Sequence, residues 1–170
     1  FQRPAELATD TAGTFEVVRH AVDWLARNEN WRTDVIVILQ PTTPFRRGHH
    51  IDTVVNRMRE TGSDAALALR PVDYPLQWMY ALSEEGRAKP FIEGEWPSRR
   101  QDATPVYQSS GMVYALKVAR LDSATPMNSE SLAATVVSQE ESVNIDTPID
   151  LALARALWSE HAPDWAEKDA

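Results

Sequence analysis

The chain has 170 residues, no cysteine, and 25 acidic against 17 basic side chains, for a net charge of −8. That length suits one domain with a real core. The missing thiols exclude a disulfide framework or a thiolate metal site, and the acidic balance argues against general nucleic-acid binding, which needs a basic face. No apolar run reaches the length of a membrane span and no signal-peptide pattern opens the chain, so the sequence reads as soluble, cytoplasmic and without a membrane partner.

Val18, Ala21, Val22 and Leu25 recur at helical spacing and predict an amphipathic helix from about Thr14 to Asn28, with Thr14 a candidate N-cap. Val35 to Leu39 follow as an uninterrupted apolar run. It reads as a strand buried on both faces, the mark of a parallel sheet covered by helices. The run ends at Gln40-Pro41-Thr42-Thr43-Pro44, a polar, proline-stiffened turn at the carboxyl end of a strand, where open α/β sheets bind ligands. Ile51, Val54, Val55 and Met58 mark a second helix closed by Gly62, and His49-His50 read as surface or helix-start residues. Asp64 to Leu69 is a second buried strand stopping at Arg70-Pro71.

From Val72 to Ala103 the periodicity disappears and prolines punctuate the chain; Trp78 to Leu82 with Glu85-Gly86 suggests a small hairpin in an insertion outside the main sheet. Met112 to Leu116 and Thr135 to Val137 are further strand candidates. Thr147-Pro148-Ile149-Asp150 supplies a hydroxyl at N-cap, proline at the first helical position and a carboxylate at the third. The helix it opens is expected to run to about His161, with residues 162–170 a frayed tail. The chain starts Phe-Gln-Arg-Pro without methionine, as a fragment or processed product would.

Arg3-Pro4-Ala5-Glu6-Leu7-Ala8-Thr9-Asp10, Leu39-Gln40-Pro41-Thr42-Thr43-Pro44-Phe45-Arg46 and Asn144-Ile145-Asp146-Thr147-Pro148-Ile149-Asp150-Leu151 occur in this order, with Arg99-Arg100-Gln101-Asp102 and Ser110-Gly111-Met112-Val113-Tyr114 between them. Together they resemble the N-acylneuraminate (CMP-sialic acid) cytidylyltransferase family over Arg3 to about Leu157. The resemblance implies an α/β, Rossmann-like nucleotidyltransferase: a mainly parallel sheet flanked by helices. It implies residues 1–170 as a single domain, the later portion of a longer family domain, with 72–103 as an inserted dimerisation arm. The family's strand and Gly/Arg/Lys loop around the triphosphate would precede Arg3, so the chain alone is expected to lack most of that grip and to be inactive.

The implied reaction passes CMP from CTP to a nonulosonic acid, a nine-carbon 2-keto sugar acid, and releases pyrophosphate with the help of Mg²⁺. By the resemblance, Asp146 is the metal-binding and catalytic aspartate, and Asn144 stands where the family often has a second aspartate. Arg3, Ala12 and Thr14 match nucleotide-contacting positions, while Gln40, Thr42 and Tyr114 match positions facing the sugar acid; Gln40 is also a catalytic candidate. Arg100 matches an arm arginine that reaches the partner's sugar site in a homodimer. Gln108 replaces an arginine, and Ser110 an asparagine, often found there. From the residues alone other readings stay open: a strand-end turn for Gln40 and Thr42, a half-buried strand aromatic for Tyr114, a solvated patch for Arg99-Arg100, loop solvation for Asp146 and a capping role for Asp150. Three alternatives stand beside the main function: CMP transfer to another 2-keto sugar acid such as an eight-carbon one, a non-catalytic dimerisation or regulatory module, and a sugar-binding fold without chemistry.

Overall fold

A computed structural model describes residues 1–94, 96–128 and 130–167. Its elements are helix α1 (Thr14–Asn28), strand β1 (Val35–Ile38), helix α2 (Gly48–Thr61), strand β2 (Ala65–Pro71), the hairpin strands β3 (Tyr80–Leu82) and β4 (Ala88–Pro90), the long strand β5 (Tyr107–Lys117), strand β6 (Leu132–Val136) and helix α3 (Pro148–Glu167). The main sheet has the order β1-β5-β2-β6, and β3 and β4 form a separate two-stranded sheet, as expected for the insertion.

The main sheet is mixed. β1 lies antiparallel to β5, with Val35 opposite Lys117 and Ile38 opposite Tyr114. β2 also runs against β5, since Lys117 N–H donates to the Asp64 carbonyl (2.9 Å) and Val72 N–H to that of Val106 (3.0 Å). β6 runs with β2, as Asp64 N–H reaches the Ser131 carbonyl (3.2 Å) and Val137 N–H the Leu69 carbonyl (2.9 Å). Three strands therefore share one direction and β5 opposes them.

Two compact units divide the chain. The first holds residues 1–41, 47–67 and 113–135. Its core gathers Ala65, Leu116 and Leu121, with Phe15, Val18 and Val22 of α1 and Ile36 and Ile38 of β1 packed against them. Helix α2 buries His50, Val54 and Met58, and Gly62 closes it at φ +66°, the left-handed geometry that glycine adopts without a Cβ penalty. His50 also starts this helix, its Nδ1 accepting from Arg47 N–H (3.0 Å). The second unit holds residues 42–46, 68–112 and 136–170. Its core packs Phe45 with Val143 and Ala154, flanked by Ile145 and Leu157.

Three sequence expectations are corrected. β1 is not buried on both faces: Val35, Val37 and Leu39 are 38%, 37% and 39% exposed. Exposed and half-buried residues alternate along it, so one face stays open, and an apolar run without alternation does not itself say how many faces are covered. Thr14 is not the N-cap of α1. Gly13 takes that position, with its N–H donated to the Glu16 carboxylate (3.4 Å). Helix α3 does not stop near His161 but continues to Glu167, because the proline at 163 deletes one helical donor without forbidding helix beyond it. Residues 168–170 of the expected tail lie outside the described residues. Among the described residues no helix is long and apolar enough to cross a membrane.

Lys117 Nζ donates to Asp64 Oδ1 at 2.6 Å, and this hydrogen bond and charge hold the Asp64 carboxyl below its ordinary pKa of 3.8. A depressed carboxyl contributes stability above its unfolded pKa and loses it as pH falls through the folded value. Asp64→Asn should therefore lower the urea midpoint by a small, constant amount from neutral pH down to about pH 5. The gap to the wild type should close below 3.8. A gap that persists or widens in acid would show that the charge is not what stabilises.

Candidate active site

The turn before α3 is built around one carboxylate. Asp150 Oδ2 accepts from Thr147 N–H (2.7 Å), from the Thr147 hydroxyl (2.8 Å) and from Asp146 N–H (3.1 Å). Asp150 N–H in turn approaches Thr147 Oγ1 (3.4 Å), completing the reciprocal cap that the Thr-Pro-Ile-Asp pattern predicts. Hydrogen bonds from Thr147 and then Asp146, with Arg70 a smaller electrostatic influence, hold the Asp150 carboxyl below its ordinary range. Asp150 is thus occupied in structure.

Asp146 is free of that duty. Its side chain is exposed, and Asn144 Nδ2 donates to its Oδ2 at 2.5 Å. Asn144 Oδ1 is buried and has no partner among the described residues. A buried carbonyl oxygen without a donor, beside a carboxylate, is a donor set that fits a hard divalent cation. Between the two, Ile145 N–H donates to the Thr42 carbonyl (2.8 Å), tying this loop to the polar turn 42–46. Arg46 secures that turn, donating from Nη1 to Thr43 Oγ1 (2.8 Å) and to the Met112 carbonyl (3.1 Å).

Asn144, Asp146 and Asp150 line a cavity of about 580 Å³ within the second unit, together with Arg70 to Tyr74 at the carboxyl end of β2 and Gln108 to Ser110 on β5. Ser110 is almost fully buried. Its hydroxyl donates to the Ala68 carbonyl (2.8 Å) and accepts from Met112 N–H (3.2 Å), fixing the wall where Gly111 turns at φ +74°. With its amide assigned so that the oxygen faces Arg70, the orientation that satisfies both groups, Gln108 accepts from both Nε and Nη2.

The second unit thus brings Thr42, Asn144 and Asp146 together. Arg100 belongs to the same unit, exposed and 3.6 Å from Asp73, a cavity residue, while Arg99 is held by Asp102 through Nε (2.9 Å) and Nη2 (3.1 Å). Arg3, Ala12, Thr14, Gln40 and Tyr114 belong to the first unit. Arg3 and Thr14 are exposed, Ala12 and Gln40 half-buried, and Tyr114 is a half-buried residue of β5 opposite Ile38. Sequence reasoning passed over Arg70. The available signal was a charge closing the buried run Ala65 to Leu69 at a strand's carboxyl end.

The chain is 27% identical over 159 residues to a CMP-N,N'-diacetyllegionaminic acid synthase of Legionella pneumophila, a match covering 91% of this chain and 66% of that protein. It is 27% identical over 114 residues to a pseudaminic acid cytidylyltransferase of Campylobacter jejuni, covering 67% and 49%. The chain is related to the sugar-acid cytidylyltransferases. An N-acylneuraminate cytidylyltransferase of Escherichia coli is likewise 27% identical over 154 residues, covering 89% of the chain and 35% of that protein. The chain therefore spans two thirds or less of the length of these relatives. A solved CMP:2-keto-3-deoxy-manno-octonic acid synthetase complexed with CTP superimposes with a TM-score of 0.56 over 89% of this chain and 70% of its own, at 14% identity. The fold is thus the Rossmann-like nucleotidyltransferase α/β architecture. No family model matches the chain.

Thr147→Ala removes the hydroxyl that both accepts from and donates to Asp150, and should cost about 1 kcal/mol of stability. Thr147→Ser should retain it. Urea unfolding of the two variants checks this, and an alanine variant as stable as the wild type would remove the cap from the account.

Proposed function

We propose that the protein transfers CMP from CTP to a nonulosonic acid and releases pyrophosphate. The observation that carries the reading is the Asn144–Asp146 pair, an unpartnered buried oxygen beside an exposed carboxylate on the wall of a cavity of about 580 Å³. The named activities of the relatives support it. The anomeric hydroxyl of the acid attacks the α-phosphorus; the new P–O bond forms as the bond to the pyrophosphate oxygen breaks.

Asp146 and Asn144 would hold Mg²⁺, which when bound neutralises charge on the phosphate oxygens. Arg3, Ala12 and Thr14 contact the nucleotide in this reading. Gln40, Thr42 and Tyr114 meet the polyhydroxylated acceptor, with Gln40 orienting the attacking hydroxyl by a neutral hydrogen bond. Arg100, its charge partly offset by Asp73, reaches the acceptor in the partner's sugar site across the homodimer. CTP and the acid are metabolites of the cell interior, so the reading places the protein in the cytoplasm.

We further propose that residues 72–103 form a dimerisation arm on a single nucleotidyltransferase domain. Tyr74, Leu82 and Phe91 are 62%, 72% and 67% exposed there, apolar surface that a partner subunit would cover. Sedimentation equilibrium should give a homodimer; a monomer at micromolar concentration would remove the arm's role.

The reading is tested by pyrophosphate release from CTP and Mg²⁺ across a panel of sugar acids, using the whole gene product. Release with one nine-carbon acid is expected; release only with an eight-carbon acid would move the acceptor, and silence from folded protein would overturn the enzyme reading. Asp146→Asn should cut turnover by roughly 10²-fold or more and raise the magnesium requirement. Unchanged kinetics would take Asp146 out of the metal site.

A further inference from the structure

Among the described residues lining the cavity Arg70 is the one cation, beside the carboxylates of Asp73, Asp146 and Asp150. Each of those carboxylates has an assigned neighbour. Asp73 faces Arg100 at 3.6 Å, Asp150 is taken by the helix cap, and Asp146 accepts from Asn144. Arg70 is half-buried and its hydrogen-bond partner is neutral, the amide oxygen of Gln108, which occupies Nε and one N–H of Nη2; Asp150 acts on it only as a weaker electrostatic neighbour. A guanidinium carries five N–H donors, so about three remain, including the paired Nη1–Nη2 end that suits a carboxylate in a two-pronged contact. A glutamine in that position fixes the plane of the guanidinium without cancelling its charge. A glutamate there would satisfy the same donors and neutralise the site.

Because the cavity walls are acidic, an anionic ligand with no cation to meet would be repelled. We infer that Arg70, held in orientation by Gln108, binds the carboxylate of the acceptor sugar acid and selects for acids over neutral sugars. This rests on the cytidylyltransferase reading and assigns its acceptor specificity to a residue on β2 of the same chain. Arg100, exposed and offset by Asp73, has a secondary part.

The test is steady-state pyrophosphate release by the whole gene product with the acid it uses, measured also with that acid's methyl ester. Arg70→Gln should raise the KM for the acid roughly 10- to 100-fold, the range for losing hydrogen bonds to a charged group, and leave the KM for CTP unchanged. The wild type should favour acid over ester, and Arg70→Gln should treat the two alike. The exchange Arg70→Gln with Gln108→Arg returns a guanidinium to the same cavity wall and should restore the preference for the acid, which separates loss of charge from loss of fold. Arg100→Ala should move the KM for the acid less than Arg70→Gln does. An active wild type whose Arg70→Gln variant keeps its KM and its acid preference overturns the inference alone. No release by the wild type with any acid overturns the functional reading and this inference with it.

Discussion

Three N–H and O–H donors converging on one carboxylate oxygen of Asp150 are the constraint on which the site depends. A helix N-terminus leaves backbone donors unmatched, and a carboxylate at the third position is the ordinary remedy. Here the remedy has a second effect. By taking the N–H of Asp146, Asp150 fixes the backbone of the loop and leaves the Asp146 side chain exposed and available. The same loop is pinned from its other side where Ile145 N–H meets the Thr42 carbonyl, while Ile145 packs against the Phe45, Val143 and Ala154 core. A packed apolar residue between two polar ones is how a short loop holds Asn144 and Asp146 in a defined place.

The cavity separates its charges. Asp146 and Asp150 lie on the loop and α3 side, and the Arg70 guanidinium stands at the end of β2, braced by a neutral amide from β5, while Asp73 beyond it is paired with Arg100. Such a division suits a substrate pair in which one partner brings phosphates with a divalent cation and the other brings a carboxylate. Ser110 shows the same economy at the wall. Its hydroxyl ties β5 to β2 through the Ala68 carbonyl, so the strand ends carrying Arg70 and Gln108 keep their spacing.

Much of this was legible in the sequence, for physical reasons that differ by element. α1 was readable because Val18 and Val22 repeat at helical spacing, and they do pack on the core. The cap at Thr147 was readable because its chemistry is local, needing only residues within one turn. The covering of β1 was not, since it depends on what packs over each face of the sheet, and packing by distant segments leaves no mark in a five-residue run. The N-cap at Gly13 was missed because the Glu16 carboxylate substitutes for the hydroxyl that Thr14 seemed placed to offer. In the site, Asp146 and Asn144 were visible through their motif. Arg70 was not, because its meaning comes from Gln108, 38 positions away and brought beside it only by the antiparallel pairing of β2 and β5.

The central claim is that the Asn144–Asp146 loop is where a divalent cation meets the cavity. Paramagnetic broadening of the side-chain amide signals by Mn²⁺, added with CTP, measures this directly. The account predicts early loss of the Asn144 side-chain signal in the wild type and its retention in Asp146→Ala. An Asn144 signal that survives while amides elsewhere in the protein broaden first would contradict it.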